Sequence, residues 1–492
     1  MYSPLPIFPA PREALDAPGR FEFSSRLEAR VPAGELSALT REVLGEMFFM
    51  HCQTACTLSF REDAALPAHT AVFGAPLPET ERPEGEEGYL VRVTPEGVCL
   101  TGGSARGLLY AFYTFMQCVF YTCLREGEER FYCECGLVRD HPAIGRRGIH
   151  LCLFPKYLPL VKKALRLSAY LKMNCVIFEF WGTYPFKALP ELHWADHSID
   201  PEDTRRLIAE AHALGMQVIP MYNHWGHAPM SRGRVGKHVV LDQNPRHALL
   251  YEPDGWTWCL SNPDTHRLLR SVREELMELC GEGEYFHLGC DEASPFGSCP
   301  QCRRLDFLKF IPDYLNSLAK ELEAHGRRAI VWADQYLENG AWPAPTYGTS
   351  TKDYPTSRML DSLDRRIILA DWQYRMDRPE LPSSEYFMRE GFDVWPAAFD
   401  DAPNNFEVVA QAADRIGAYG YLATTWNHLP ALLQRMPDLC GSAWCGQAYR
   451  RQSEQGILAY TLLRRVMPRA KSYREAGYLP EEADEQGYRV IL

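Results

Sequence analysis

PEDTRRLIAEAHALGMQVIPMYNHWGH, Pro201–His227, carries the reading that decides the fold. Pro201–Leu214 makes a plausible helix, and Gln217–Tyr222 is a short, continuous apolar run of the kind expected when both faces of a strand are buried in a parallel sheet. The run closes in polar and aromatic residues, Asn223-His224-Trp225-Gly226-His227. The same rhythm continues in both directions. Further strand candidates are Gly148–Leu153, Asn174–Phe180, Tyr285–Gly289, Arg328–Ala333, Ile367–Asp371, Phe392–Trp395 and Gly420–Thr425. Between them lie helical stretches at Tyr157–Leu171, Asp264–Cys280, Phe307–His325 and Asn405–Ile416. Eight strands over about 280 residues match an α/β (β/α)8 TIM barrel. An open doubly wound sheet predicts fewer strands and a glycine-rich phosphate loop after the first, and neither is found. The barrel is assigned to residues 141–450.

Residues 1–140 have a different rhythm. Tyr89–Val93 and Val98–Thr101, separated by Pro95-Glu96-Gly97, predict a hairpin. Gly34–His51 and Ala105–Phe120 predict two helices, the second the more buried. Strands mixed with two helices predict a smaller, non-catalytic α+β domain ahead of the barrel. Residues 451–492 are expected to form a helical tail packed on the barrel. The whole chain has 492 residues, 46% of them hydrophobic and 24% charged, with a net charge of −12. An acidic protein lacks the basic face that nucleic acid requires, and no apolar run is long enough to span a membrane. The first residues lack the pattern of a signal peptide. Sixteen cysteines without such a signal predict reduced thiols and a cytoplasmic location.

A barrel enzyme works at the C-terminal ends of its strands. The fourth strand ends in His287-Leu288-Gly289-Cys290-Asp291-Glu292. Adjacent carboxyls after a buried strand are rarely bland, since Asp and Glu are seldom buried unless paired or used. Leaving an extended chain on opposite sides, the two should differ in environment and role. The structural alternative is a helix N-cap at Asp291 or Ser294. The fifth to eighth strands close as Trp332-Ala333-Asp334, Asp371-Trp372-Gln373-Tyr374, Val394-Trp395 and Thr425-Trp426-Asn427-His428. Four tryptophans at four successive strand ends, out of 11 in the chain, suggest a ring that stacks on the apolar faces of a sugar.

At these residues the sequence resembles the β-N-acetylhexosaminidases of glycoside hydrolase family 20, whose motif H-x-G-G-D-E is similar to His287–Glu292, with Cys290 in place of the second glycine. Within the family, Cys290, Trp332-Ala333-Asp334 and Asp371–Tyr374 look most like the hexosaminidase D branch. Arg147-Gly148, Val218-Ile219-Pro220, Gly226-His227 and the Gly88–Gln117 region add to the likeness, which covers roughly residues 85–445. The resemblance implies an exo-acting hydrolase that retains configuration without an enzyme nucleophile, the substrate's 2-acetamido oxygen forming an oxazolinium intermediate. It implies Glu292 as acid and then base, and Asp291 as the group holding the acetamide N–H. Tyr374 would donate to the acetamide oxygen. Trp332, Trp372, Trp395 and Trp426 would wall the sugar, and Arg147, Glu179 and Asp334 would reach its hydroxyls. His227 and His287 would orient the acid pair. The sequence departs from the family pattern at Cys290, Cys152 and Glu179.

Cys299-Pro300-Gln301-Cys302 is read as free buried thiols, with a structural zinc at Cys299/Cys302, joined by Cys259 or Cys290, as the alternative. No catalytic metal or cofactor is expected. The expected partner is a small glycoside or oligosaccharide, with neither nucleic acid nor membrane, and a homodimer is allowed. Two rival functions stay open: a barrel glycosidase using two enzyme carboxylates, Glu292 with Glu179, and a non-catalytic sugar-binding relative. Arg327-Arg328 and Arg365-Arg366, ahead of two strands, are expected to be solvated.

Overall fold

The hairpin expected from Tyr89–Val93 and Val98–Thr101 lies in the middle of an N-terminal sheet. The computed structural model describes residues 7–62, 70–74, 82–229, 237–293, 296–426, 429–451 and 466–467. The tail expectation for 451–492 falls outside the described residues, apart from Arg451, Val466 and Met467. The strands of the first sheet are β1 (Glu13–Phe23), β2 (Arg26–Arg30), β3 (Thr57–Arg61), β4 (Thr70–Phe73), β5 (Tyr89–Thr94), β6 (Gly97–Gly102), β7 (Phe120–Cys123) and β8 (Arg130–Asp140). They pair in the order β1-β8-β5-β6-β4-β2-β3, with β7 added to β8. The helices α1 (Ala38–His51) and α2 (Ala105–Cys118) form where expected, each with a serine N-cap, Ser37 or Ser104. Every residue of α2 from Gly107 to Cys118 is buried, as its apolar composition predicts.

The second unit is a closed barrel. Its strands are β9 (Arg147–Cys152), β10 (Cys175–Glu179), β11 (Gln217–Met221), β12 (Tyr285–His287), β13 (Arg328–Trp332), β14 (Ile368–Trp372), β15 (Val394–Ala398) and β16 (Tyr421–Thr424). Each pairs in parallel with the next, and β16 closes onto β9. The helix Pro201–Ala213 is started by Asp200, whose carboxylate caps two backbone N–H groups, and by Pro201 in the first turn. Gly215, at φ +82°, turns the chain back toward β11. A short helix that the sequence did not suggest, Pro382–Arg389, fills the interval between β14 and β15.

Ile177, Ile219, Ile330, Ile368 and Leu422 fill the barrel interior, each such side chain contributing roughly 1.5–3 kcal/mol on burial. The two units share an apolar and polar seam. Tyr113 donates to the Leu214 carbonyl at 3.0 Å, and the Trp444 indole N–H donates to Asp140 at 2.8 Å. Arg327 is not solvated: it is 4% exposed and donates to the carbonyls of Tyr285 and Gly281 under the barrel. Among the described residues no helix is long and apolar enough to cross a membrane.

Candidate active site

All eight barrel strands point one way, so their C-terminal ends share one mouth. After β12 the chain does not stay extended. Gly289, Cys290 and Glu292 have φ of +68°, +74° and +46°, left-handed values that bend the segment sharply. A Cβ on Gly289 would stand 1.8 Å from Asn223 Oδ1, so only glycine fits there. From the neighbouring strand end Gly226 closes in as tightly, since a Cβ there would meet the Asp291 carbonyl oxygen at 2.2 Å. No helix starts at Asp291, which removes the N-cap reading there, and Ser294 lies outside the described residues; the next α-helix among the described residues is Phe307–Ala324.

The bend corrects the expectation that the two carboxyls leave on opposite sides. Both converge on one imidazole: His227 Nε2 lies 3.2 Å from Asp291 Oδ2 and 3.6 Å from Glu292 Oε2. Their difference is in exposure. The Asp291 side chain is 10% exposed and that of Glu292 37%. Burial opposes a charge on His227, but the neighbouring Asp291 and then Glu292 outweigh it, and the imidazole holds its proton above the usual histidine range.

Asp334 closes the other side of the acid. Its Oδ2 accepts the Glu292 backbone N–H at 3.0 Å and the Thr349 hydroxyl at 3.0 Å, and its Oδ1 accepts the Trp372 indole N–H at 3.3 Å. Burial, reinforced by the charge of Asp291, raises this carboxyl to about 7. The Trp426 indole N–H donates to the Tyr374 oxygen at 3.1 Å. Burial pushes the Tyr374 phenol well above its usual range, so its O–H stays a donor. Trp332 and Trp426 pack with ring centres 5.8 Å apart, and Trp372 and Tyr374 at 5.0 Å. His287 acts through the turn: its Nδ1 accepts the Gly289 N–H at 3.0 Å, and its ring packs on Trp332.

Glu179 lies at the buried floor, fully enclosed. Its Oε2 takes contacts from His150 at 3.1 Å and the Cys152 thiol at 3.2 Å, and its Oε1 accepts the Asn223 amide at 3.0 Å. Two of the positions that depart from the family pattern, Cys152 and Glu179, therefore touch each other. The donor atoms of His150, Cys152 and Glu179 lie close enough to grip an ion, but here they satisfy one another.

Two expected site residues lie elsewhere. Arg147 opens β9 instead of ending it, so its fully buried guanidinium sits at the far end of the barrel. There it pairs with Glu87 of the first unit at 2.7 Å and donates to the carbonyls of Lys172 and Ile144. Trp395 is the second residue of β15, which runs on to Ala398. Its ring packs inside the barrel on Tyr285, and Gly420 leaves the room: a Cβ there would stand 1.1 Å from Trp395 Nε1.

Other site residues escaped the sequence reading. Trp256 packs on His227 with ring centres 4.2 Å apart and donates its indole N–H to the Glu292 carbonyl at 2.7 Å. Tyr347 packs on Trp372 at 4.6 Å. Trp256, Tyr347 and Thr349 come from long loops without periodicity. Asn223 and His150 carried the available signal, a polar residue at or near a strand end.

The chain is similar to known proteins in sequence and in fold. The model described as "Glycosyl hydrolase family 20, catalytic domain" matches residues 191–376, and "Glycosyl hydrolase family 20, domain 2" matches residues 5–141. A β-hexosaminidase of Porphyromonas gingivalis is 23% identical over 375 residues, 69% of this chain and 46% of the relative. The human β-hexosaminidase subunit beta is 24% identical over 312 residues, 58% of this chain and 55% of the relative. The chain thus spans about half the length of these curated relatives. A family 20 exo-β-N-acetylglucosaminidase from Vibrio harveyi, solved with N-acetylglucosamine, shares the fold with a TM-score of 0.68 at 16% identity, covering 94% of this chain and 77% of that one.

Proposed function

This chain belongs to glycoside hydrolase family 20, and from that premise we propose that it is an exo-acting β-N-acetylhexosaminidase that releases terminal β-linked N-acetylglucosamine or N-acetylgalactosamine with retention. The observation that carries the reading is the unequal carboxyl pair held at one imidazole, Asp291 buried and Glu292 open to the mouth. The names of the curated relatives, all β-hexosaminidases among those above, agree with it.

In the first step the substrate's acetamide oxygen attacks the anomeric carbon as the glycosidic C–O bond breaks. Glu292 gives its proton to the departing oxygen. Asp291, paired with His227, accepts the acetamide N–H and offsets the positive charge growing on the ring that forms. The Tyr374 hydroxyl orients the acetamide oxygen, and Trp332, Trp372 and Trp426 wall its methyl and the sugar face. In the second step Glu292 removes a proton from water, the water oxygen bonds to the anomeric carbon, and the oxazolinium reopens to the acetamide. Two inversions leave the configuration unchanged. The substrate supplies the nucleophile, so no cofactor is needed.

The rival with Glu179 as nucleophile is disfavoured by that residue's surroundings, because three donors already occupy its oxygens. The test compares nitrophenyl β-glycosides of N-acetylglucosamine, N-acetylgalactosamine, glucose and galactose. Turnover confined to the acetamido sugars is expected. Equal turnover of the plain sugars contradicts the reading, and binding of all four without turnover points to a sugar-binding relative.

A further inference from the structure

We propose that Cys259, Cys299, Cys302 and Glu252 form a structural zinc site that ties together the two loops bracketing the acid Glu292. Glu252 and Cys259 lie in the loop between β11 and the helix Pro263–Cys280, while Cys299 and Cys302 follow the Asp291-Glu292 turn. The proposal is independent of the hydrolase reading, since none of the four residues belongs to the sugar pocket.

The distances suit a metal better than a disulfide. Cys259 Sγ lies 3.7 Å from Cys299 Sγ and 3.9 Å from Cys302 Sγ. Tetrahedral zinc with Zn–S bonds of about 2.3 Å sets its sulfurs roughly 3.8 Å apart, whereas a disulfide closes to about 2.05 Å. One atom from each of the four residues lies within 4.8 Å of every other. The three sulfurs also form a small cluster of their own, apart from the main core.

Glu252 supplies the independent observation. It is fully buried, its Oε2 accepts the Cys299 N–H at 2.6 Å and the Ser298 hydroxyl at 3.0 Å, and its Oε1 has no hydrogen-bond partner among the described residues. A buried carboxylate oxygen left without a partner is costly, and a cation held among three thiolates would satisfy it. The Cys302 N–H donates to Cys299 Sγ at 3.2 Å, an outer contact of the sort that orients a metal-bound thiolate. Three sulfurs and one carboxylate oxygen select zinc over magnesium or calcium. Cys290, the other thiol considered from sequence, points its Sγ at the Leu288 carbonyl instead. Glu252, Cys259 and Cys299 also line a surface cavity of about 1050 Å³, which gives an ion a path in.

The metal's structural consequence runs through Trp256. It lies between the ligands Glu252 and Cys259 and supports both His227 and the Glu292 carbonyl. Zinc would clamp this loop to the segment that leaves the catalytic turn.

The experiment is elemental analysis of the full-length protein purified under reducing conditions, followed by exchange of zinc for cobalt(II). One zinc per chain is expected, and the cobalt form should show the intense visible bands and near-ultraviolet thiolate charge transfer of a tetrahedral, sulfur-rich site. Cys302→Ser should lower the charge-transfer intensity by about a third, one of three thiolates being gone, and bind zinc more weakly, while Cys123→Ser, on the first domain, should keep both. Zinc removal by a chelator should lower the thermal midpoint, restored by zinc and not by magnesium. Purified protein without stoichiometric zinc and with no thiolate spectrum under excess cobalt overturns the proposal. An unchanged charge-transfer intensity in Cys302→Ser overturns it equally, and the wild-type cobalt spectrum decides the matter even if that variant fails to fold.

Discussion

Asp334 accepts the backbone N–H of Glu292 at 3.0 Å, so a buried carboxyl at the end of β13 fixes the peptide that carries the acid beyond β12. Burial and the charge of Asp291 hold this carboxyl up at about 7. In the unfolded chain it would release its proton near pH 4. The folded state therefore binds the extra proton between these values, and the residue's contribution to stability falls as pH rises from about 4 to about 7. Asp334→Asn removes that dependence. Thermal unfolding at pH 5 and pH 8 should show the variant gaining on the wild type at the higher pH, by on the order of 1–4 kcal/mol. A difference independent of pH would contradict the assignment.

Glu292→Gln keeps the shape of the side chain and removes the transferable proton. Its kcat should fall roughly 10²–10⁴-fold, most for substrates with poor leaving groups, while the thermal midpoint stays near wild type. Steady-state kinetics on a nitrophenyl glycoside and on a disaccharide separate the two cases. Equal loss on both would place the residue outside leaving-group protonation.

Asp291→Asn leaves His227 without its main charged partner. The variant should lose about 10²–10³-fold in kcat, and a thiazoline mimic of the cyclic intermediate should inhibit it more weakly than the wild type. Its His227 should titrate at lower pH, because burial then acts with less opposition. Imidazole NMR across a pH series reads this directly; an unchanged midpoint would mean that Asp291 does not hold the proton.

Arg147→Met tests the reassignment of that residue. Removing the guanidinium leaves Glu87 only Arg106 and Asn174 as partners and strands the buried carbonyls of Lys172 and Ile144, a loss of roughly 1–3 kcal/mol. Chemical denaturation should record that loss, whereas kcat and KM of the folded fraction should match wild type. A raised KM at unchanged stability would return Arg147 to the sugar site.

Much of the barrel was legible because its strands are buried on both faces. Unbroken apolar runs such as Cys175-Val176-Ile177-Phe178 mark strands at full strength. The acid pair was legible for a related reason, since adjacent carboxyls beyond such a run have few bland explanations. The errors came from strand ends. Reading β15 as closing at Trp395 set that ring at the mouth, but Pro396-Ala397-Ala398 carry the strand further and leave the ring inside. Arg147 was placed by likeness to a motif, while its position as the first residue of β9 sends it to the opposite end. Trp256, Tyr347 and Glu252 rest on loop contacts between distant segments, which leave no periodic trace in the sequence, whereas the spacing of Cys299 and Cys302 did mark the thiols.

The central claim is that the substrate's own acetamide oxygen is the nucleophile. The most direct test is kcat/KM for a series of nitrophenyl glycosides whose N-acetyl group carries zero, one, two or three fluorine atoms. Fluorine withdraws electron density from that oxygen without altering the glycosidic bond. The account predicts a steep, progressive fall along the series, the trifluoro substrate being slower by orders of magnitude. A rate that stays level across the four substrates would contradict it and shift the attack to an enzyme carboxylate.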